Sequence, residues 1–187
     1  MNFFKKTNTT DVTLKTQFVR TIISHIKISA FLLLLFGVCL INLWTLDIAR
    51  NILCVIIPVI YAFHMADVGN KTGMHDHKSY SKTKPFAPKG FMLALPILVL
   101  NLIFWLIFKF SWSDNASLIS VLAKLIFYAW TFPFTAFVYT DKASMHLLCH
   151  MLLYLLPILS LGIGYFTGYK KWEVYKLLDS ITFEKKQ

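Results

Sequence analysis

The sequence is short of acidic charge. Nine Asp and Glu stand against 19 Lys and Arg in 187 residues, a formal net charge of +10. Charged residues of both signs make up only 15%, where a soluble domain carries about 25%. Cysteine is scarce. Cys39, Cys54 and Cys149 lie inside apolar runs and form no Cys-x-x-Cys pair, which excludes a disulfide scaffold and reads as buried thiols. Arginine is confined to Arg20 and Arg50. The guanidinium is the better fork for phosphates and bases, so a lysine-based excess argues against nucleic acid as a partner. Catalytic signatures are missing as well. There is no Gly-x-Ser-x-Gly, no His-Glu-x-x-His and no Gly-x4-Gly-Lys, and the His-x-x-His-His boxes of di-iron membrane hydroxylases are absent. These absences weigh against an enzyme without deciding the question.

What the sequence has in quantity is apolar surface. Hydrophobic residues reach 57% and aromatics 16%, against about 45–50% apolar in a soluble domain. A helical span needs about 20 apolar residues, within a range of about 17–25. Five runs come near that length: 28–46, 51–66 (short), 91–110, 117–139 and 146–168. The runs are continuous rather than alternating, which disfavours a membrane β-barrel. The fold expected is all-α, a polytopic integral membrane helical bundle of about five spans forming a single domain over 1–187. Residues 1–27 read as a basic segment at the cytoplasmic interface, where Phe18, Ile22, Ile23 and Ile26 recur at helical spacing. No small-residue cleavage site follows the first apolar run, so no removable signal peptide is expected. Residues 169–187 read as a basic amphipathic tail.

Loop charge sets the expected orientation. Five spans place the N-terminus, loop 67–90 and loop 140–145 on one side. That side carries Lys5, Lys6, Lys15, Arg20 and Lys27, then Lys71, Lys78, Lys82, Lys84 and Lys89, then Lys142. It is expected to be cytoplasmic, in a cell membrane crossed several times. The same count places the tail, with Lys170, Lys171, Lys176, Lys185 and Lys186, on the opposite side, against the charge rule.

Polar and small residues inside the runs mark candidate contacts. Ser160, Gly164 and Gly168 share one face of the fifth run with His146, His150 and Pro157, within about 40° at 100° per residue. Small residues at this spacing let helix backbones approach, within the chain or in a homodimer. Asn42 and Asn101 can hydrogen-bond across helices. Pro58, Pro96, Pro133 and Pro157 put one proline in each of the second to fifth runs, and proline bends or breaks a helix.

All six histidines fall on the expected cytoplasmic side: His25, His64, His75, His77, His146 and His150. His146-x3-His150 puts two imidazoles on one helical face, and His64 with Asp67 can add two further ligands. That set is four-coordinate nitrogen–oxygen chemistry of the kind that takes zinc or iron. Solvated or hydrogen-bonded histidines, with no cofactor, are the plain reading of the same residues.

The stretch from Gly162 to Lys171, Gly-Ile-Gly-Tyr-Phe-Thr-Gly-Tyr-Lys-Lys, leading into a basic tail, resembles the ends of uncharacterised small polytopic membrane proteins of Firmicutes. The resemblance implies a bacterial host membrane and carries no activity. The functional expectation is a small integral membrane protein, a transporter-like module or an accessory subunit of a membrane complex. Its partners would be the bilayer and a membrane protein or second copy. The alternative is a metal-binding membrane protein or metal-dependent membrane enzyme using the histidine face.

Overall fold

The computed structural model describes residues 13–42, 47–77, 83–111, 118–135 and 151–170. They are helical, with no strand among the described residues. In chain order the helices are α1 (Leu14–Asn42), α2 (Asp47–Asp76), α3 (Lys89–Leu93), α4 (Leu95–Ser111), α5 (Leu118–Trp130), α6 (Phe132–Thr135) and α7 (Met151–Lys170). Among the described residues three stretches are long and apolar enough to cross a bilayer: Leu14–Gly37, Lys89–Lys109 and Met151–Lys170. They overlap the first, third and fifth apolar runs.

The α1 helix starts where the Thr13 hydroxyl accepts the Thr16 backbone N–H at 3.3 Å, an N-cap bond. No Gly or Pro follows until Gly37, so the expected interfacial segment and the first span form one continuous helix. Its polarity is reversed from that of a soluble helix. Gln17, Thr21, His25 and Ser29, each four residues apart, are buried, while Val19, Ile23, Ile26, Phe31 and Leu34 face outward. Within α2 the short run 51–66 is the middle of a 30-residue helix, about 45 Å long at 1.5 Å per residue. Residues 67–76, expected in a loop, are its last turns.

Prolines explain the other boundaries. Pro96 has no N–H for the Met92 carbonyl, and the chain turns at Ala94, whose N–H bonds Phe91 O at 3.2 Å. Pro133 likewise has no N–H for Ala129. There α5 ends, Thr131 Oγ1 bonds back to Phe127 O at 2.7 Å, and the Phe134 N–H takes Thr131 O at 2.8 Å. The fourth run is thus split between α5 and the single turn of α6. Pro157 lies inside α7 and leaves the Leu153 carbonyl without its helical donor.

Glycines set how closely the helices approach. A Cβ built on Gly69 would lie 2.6 Å from Leu161 O and 2.8 Å from Tyr165 N. One on Gly164 would run into the Ala66 backbone, one on Gly168 into that of Asn70, and one on Gly73 into that of Tyr165. The small-residue faces of α2 and α7 are therefore in backbone contact within one chain. On the other flank of α7, a Cβ on Gly90 would lie 2.5 Å from Tyr165 Cβ and 2.8 Å from Leu161 O.

These contacts decide the arrangement of ends. Gln17 near the start of α1, Asp76 at the end of α2, Lys89 at the start of α3 and Tyr165 near the end of α7 all meet. The end of α7 therefore lies at the same end of the bundle as the 77–88 connection, not opposite it as five alternating spans require. The reason lies half-way along. Trp130, closing α5, and Leu153, opening α7, both bond Asn101 of α4, which is 12 residues beyond Lys89, or about 18 Å of helix. Thus the end of α5 and the Leu153 turn of α7 meet at the middle of α4. The remaining core is apolar, built on Leu32, Ile57, Tyr61, Met65, Phe134 and Leu161.

Gly164→Leu should unfold in detergent with a stability loss of about 3 kcal/mol, because the obstacle is backbone rather than a side chain that can move. Gly37→Ala should instead gain about 0.5–1 kcal/mol, because a Cβ there meets only Leu33 Cδ1 at 3.5 Å. Thermal melts of the two variants in one detergent test the contrast.

Candidate functional site

The most concentrated chemistry is a buried polar knot around Asp76. Gln17, Asp76 and Lys89 are each at most 3% exposed, and Tyr165 is fully buried. Asp76 Oδ1 accepts from Gln17 Nε2 at 2.5 Å and from the Thr83 hydroxyl at 2.9 Å. Its Oδ2 accepts from Lys89 Nζ at 2.5 Å and from the Tyr165 hydroxyl at 2.7 Å. A carboxylate offers about four lone-pair sites, and all four are taken. The donors come from α1, the 83–88 approach, α3 and α7, so one anion on α2 ties five parts of the chain together. The chain brings Lys89 in because the α3 backbone can sit against α7 at Gly90. It brings Tyr165 in because Gly69 and Gly73 let α7 lie against α2.

A second polar group lies at middle depth. Asn101, fully buried on α4, donates through Nδ2 to Leu153 O at 2.8 Å and accepts the Trp130 indole N–H at 2.6 Å. The Leu153 carbonyl is the one that Pro157 leaves unpaired, so a side chain from another helix completes the broken ladder. Asn101 thus makes the cross-helix bonds its position in an apolar run suggests. Beside it His25, fully buried, shares a 2.9 Å hydrogen bond with the Tyr61 hydroxyl, and its ring lies 4.3 Å from that of Trp130, tilted by 47°. Ser29 Oγ donates weakly to the Trp130 carbonyl at 3.4 Å. Among the described residues His25 Nε2 has no hydrogen-bond partner of good geometry, with the Trp130 backbone beside the ring. The site therefore presents a histidine nitrogen, a hydroxyl and the carbonyl end of a short helix together, an arrangement able to receive a proton, a water or a small cation.

The residues expected to bind metal fall differently. His64 and Asp67 are one turn apart on α2. His64 is half-buried, and Asp67 is exposed and bridged to Lys71 at 2.6 Å. His146 and His150 lie outside the described residues, as do Cys149, Trp44, Trp112 and nearly all of the basic tail. Among the described residues no group of three His, Cys, Asp or Glu is placed to hold a metal ion. His75 and Asp76 end α2, and the His77 ring lies 5.1 Å from that of Tyr169. Of the packing residues, Gly164 and Gly168 lie against α2, while Ser160 Oγ donates back to Leu156 O at 2.7 Å.

Sequence reasoning did not single out Gln17, Asp76, Lys89 or Tyr165. Asp76 stood between two histidines and drew attention only to them. Two signals were available. The spacing Gln17, Thr21, His25, Ser29 marks one polar helix face, and Gly69-x3-Gly73 is the counterpart of Gly164-x3-Gly168. No family model matches the chain, and neither a curated protein nor a solved structure matches it.

Lys89→Met leaves Asp76 buried and short of its cation, and should cost about 3–5 kcal/mol. Tyr165→Phe removes one bond to a charged group and should cost about 2 kcal/mol. Replacing both charges, Asp76→Leu with Lys89→Met, should recover much of the first loss, since no lone charge then remains buried. Unfolding of the purified full chain, compared across the four proteins, measures all three.

Proposed function

We propose that this chain is a small, non-enzymatic, multi-pass membrane protein that works as a transporter-like module for protons or a small cation. The observation that carries the reading is the buried polar group at middle depth, where the end of α5 and the Leu153 carbonyl of α7, left by Pro157 without its helical donor, lie near His25, whose Nε2 has no hydrogen-bond partner among the described residues. Discontinuous helices meeting near the bilayer midplane are a recurrent way to expose helix-end carbonyls to a cation, and intramembrane ionisable groups mark conduction paths. Outward-facing apolar residues on α1, α4, α5 and α7 support a lipid surround. No oxidisable, nucleophilic or metal-bound centre is needed for this role.

The orientation proposed puts the N-terminus, the 77–88 connection and the end of α7 on the cytoplasmic face. The support is the charge rule together with the meeting of those segments at Asp76. The basic tail then follows the rule instead of opposing it. In place of five alternating spans the chain makes four net passages, the last shared by α5 and α7. The resemblance of residues 162–171 to small membrane proteins of Firmicutes suggests a bacterial cell membrane as the setting.

An accessory subunit of a membrane complex is the second reading. It is favoured by the closed state of the Asp76 knot, whose four acceptor sites are spent on holding helices together.

Single cysteines introduced at Lys84 and Lys170 in a background free of native cysteines should both be labelled from the cytoplasmic side by a membrane-impermeant maleimide. Opposite-side labelling would restore an odd number of passages. Purified protein in vesicles should pass protons or monovalent cations faster than empty vesicles, and His25→Gln should slow that flux about tenfold, the equivalent of about 1.4 kcal/mol. A wild type with no flux, running with a second membrane protein on native gels, would move the function to the accessory reading.

A further inference from the structure

A groove on the flank of the bundle lies apart from both polar sites. It runs between the approach to α3 and the α7 helix, has a volume of about 350 Å³, and is lined by Ala87, Pro88, Phe91, Gly162, Ile163 and Phe166. The volume is at the lower end of the range for small-molecule sites, about 300–1,000 Å³. No lining side chain is polar, so the groove offers an apolar body nothing but contact. Its shape depends on Gly162, because a Cβ there would strike the Phe91 ring that forms the facing wall.

Charge distinguishes one end of this groove. Lys170, exposed, holds its ammonium 5.0 Å from the centroid of the Phe166 ring. Among the described residues no carboxylate forms an ion pair with it. Lys84, also exposed, precedes the wall residue Ala87 by three positions. Among the described residues Asp67 is bridged to Lys71 and Asp76 to Lys89, and Glu173, three positions after Lys170, lies outside them. One cation, Lys170, thus stands at the end of an apolar groove, and a second, Lys84, lies one turn's length of chain before its wall.

We infer that this groove is a binding site for an anionic phospholipid, with one acyl chain against Phe91, Ile163 and Phe166 and the headgroup phosphate between Lys170 and Lys84. A free phosphate satisfies the rim and leaves the groove empty. A neutral lipid fills the groove and leaves the rim without an anion. A lipid with both parts uses both features, and each lysine near an anionic headgroup adds to the attraction. The inference rests on the membrane reading above but not on the proposed flux or on which face is cytoplasmic. A bound lipid here would clamp α3 to α7, the two helices that deliver Lys89 and Tyr165 to Asp76.

The test is a titration of the delipidated full chain in neutral detergent with phosphatidylglycerol, read by native mass spectrometry and by thermal melting, with phosphatidylcholine and inorganic phosphate as parallel arms. Phosphatidylglycerol is expected to bind at low stoichiometry and raise the melting temperature, while the other two do neither. Lys170→Gln and Lys84→Gln should each weaken binding about fivefold. Ile163→Trp, which fills the groove from an exposed position, should abolish the thermal gain. Lys15→Gln, a cation off the groove, should change neither. Equal stabilisation by phosphatidylcholine or by inorganic phosphate overturns the inference, as does phosphatidylglycerol binding that survives both Lys170→Gln and Ile163→Trp. Should the chain fail to sediment with membranes after carbonate washing, the membrane reading itself falls. A chain that stays with membranes but ignores phosphatidylglycerol removes the lipid site alone. Variants are compared only where their melts in neutral detergent match wild type, and Lys84→Gln and Lys170→Gln, both at exposed positions, keep the test open if the tryptophan variant misfolds.

Discussion

One carboxylate sets the terms for an entire end of this bundle. Asp76 is taken out of water on all sides, and an ionised group in that position is tolerated only when it is paired and its remaining lone pairs are met. Four donors from four other parts of the chain do this. Each donor needs its helix to approach within hydrogen-bonding reach, and side chains would prevent that approach. Gly69 and Gly73 on α2, Gly164 and Gly168 on α7 and Gly90 on α3 remove them. The glycines and the anion therefore depend on one another: the glycines admit the donors, and the donors hold the glycine faces in contact.

The same rule operates at middle depth with neutral groups. Prolines at 96, 133 and 157 interrupt backbone ladders, and in apolar surroundings an unpaired carbonyl costs several kcal/mol, on the order of the loss of a whole side-chain contact. Ala94 and Thr131 close two of these breaks locally with short turns. The third is closed from a distance by Asn101, which in turn holds the Trp130 indole. A cross-helix bond of this kind is worth about 0.6–2 kcal/mol. Its larger consequence is architectural, since it brings the end of α5 and the Leu153 turn of α7 to one point of α4, near buried His25.

Several features were legible in the sequence because they rest on local rules. Apolar runs of membrane length, the absence of alternation and the positions of proline gave an all-helical chain with helix breaks near Pro96 and Pro133. Asn101 was legible as a cross-helix donor, since an amide in an apolar run has few other uses. The polar knot was not. Gln17, Asp76, Lys89 and Tyr165 are separated by up to 148 positions in the chain, and each has an ordinary loop or interface reading when taken alone. The reversed polarity of α1 was missed because its first half was read as an interfacial segment, apart from the span, and its polar residues as facing water. In an apolar surround the polar face packs instead.

Composition and periodicity by themselves determined that the chain is helical, apolar, basic and without catalytic signatures, because those properties are sums over residues or depend on neighbours a turn apart. Tertiary structure alone decided that Trp130 and Leu153 meet at Asn101 and that the end of α7 returns to the 77–88 connection. The run lengths at 117–139 and 146–168 are compatible with two full crossings. What the run lengths do not carry is the Tyr165 hydroxyl on Asp76 and the Leu153 carbonyl on Asn101, contacts between residues 89 and 52 positions apart. Direction of travel through a bundle is a property of such long-range pairs, and no local pattern encodes it.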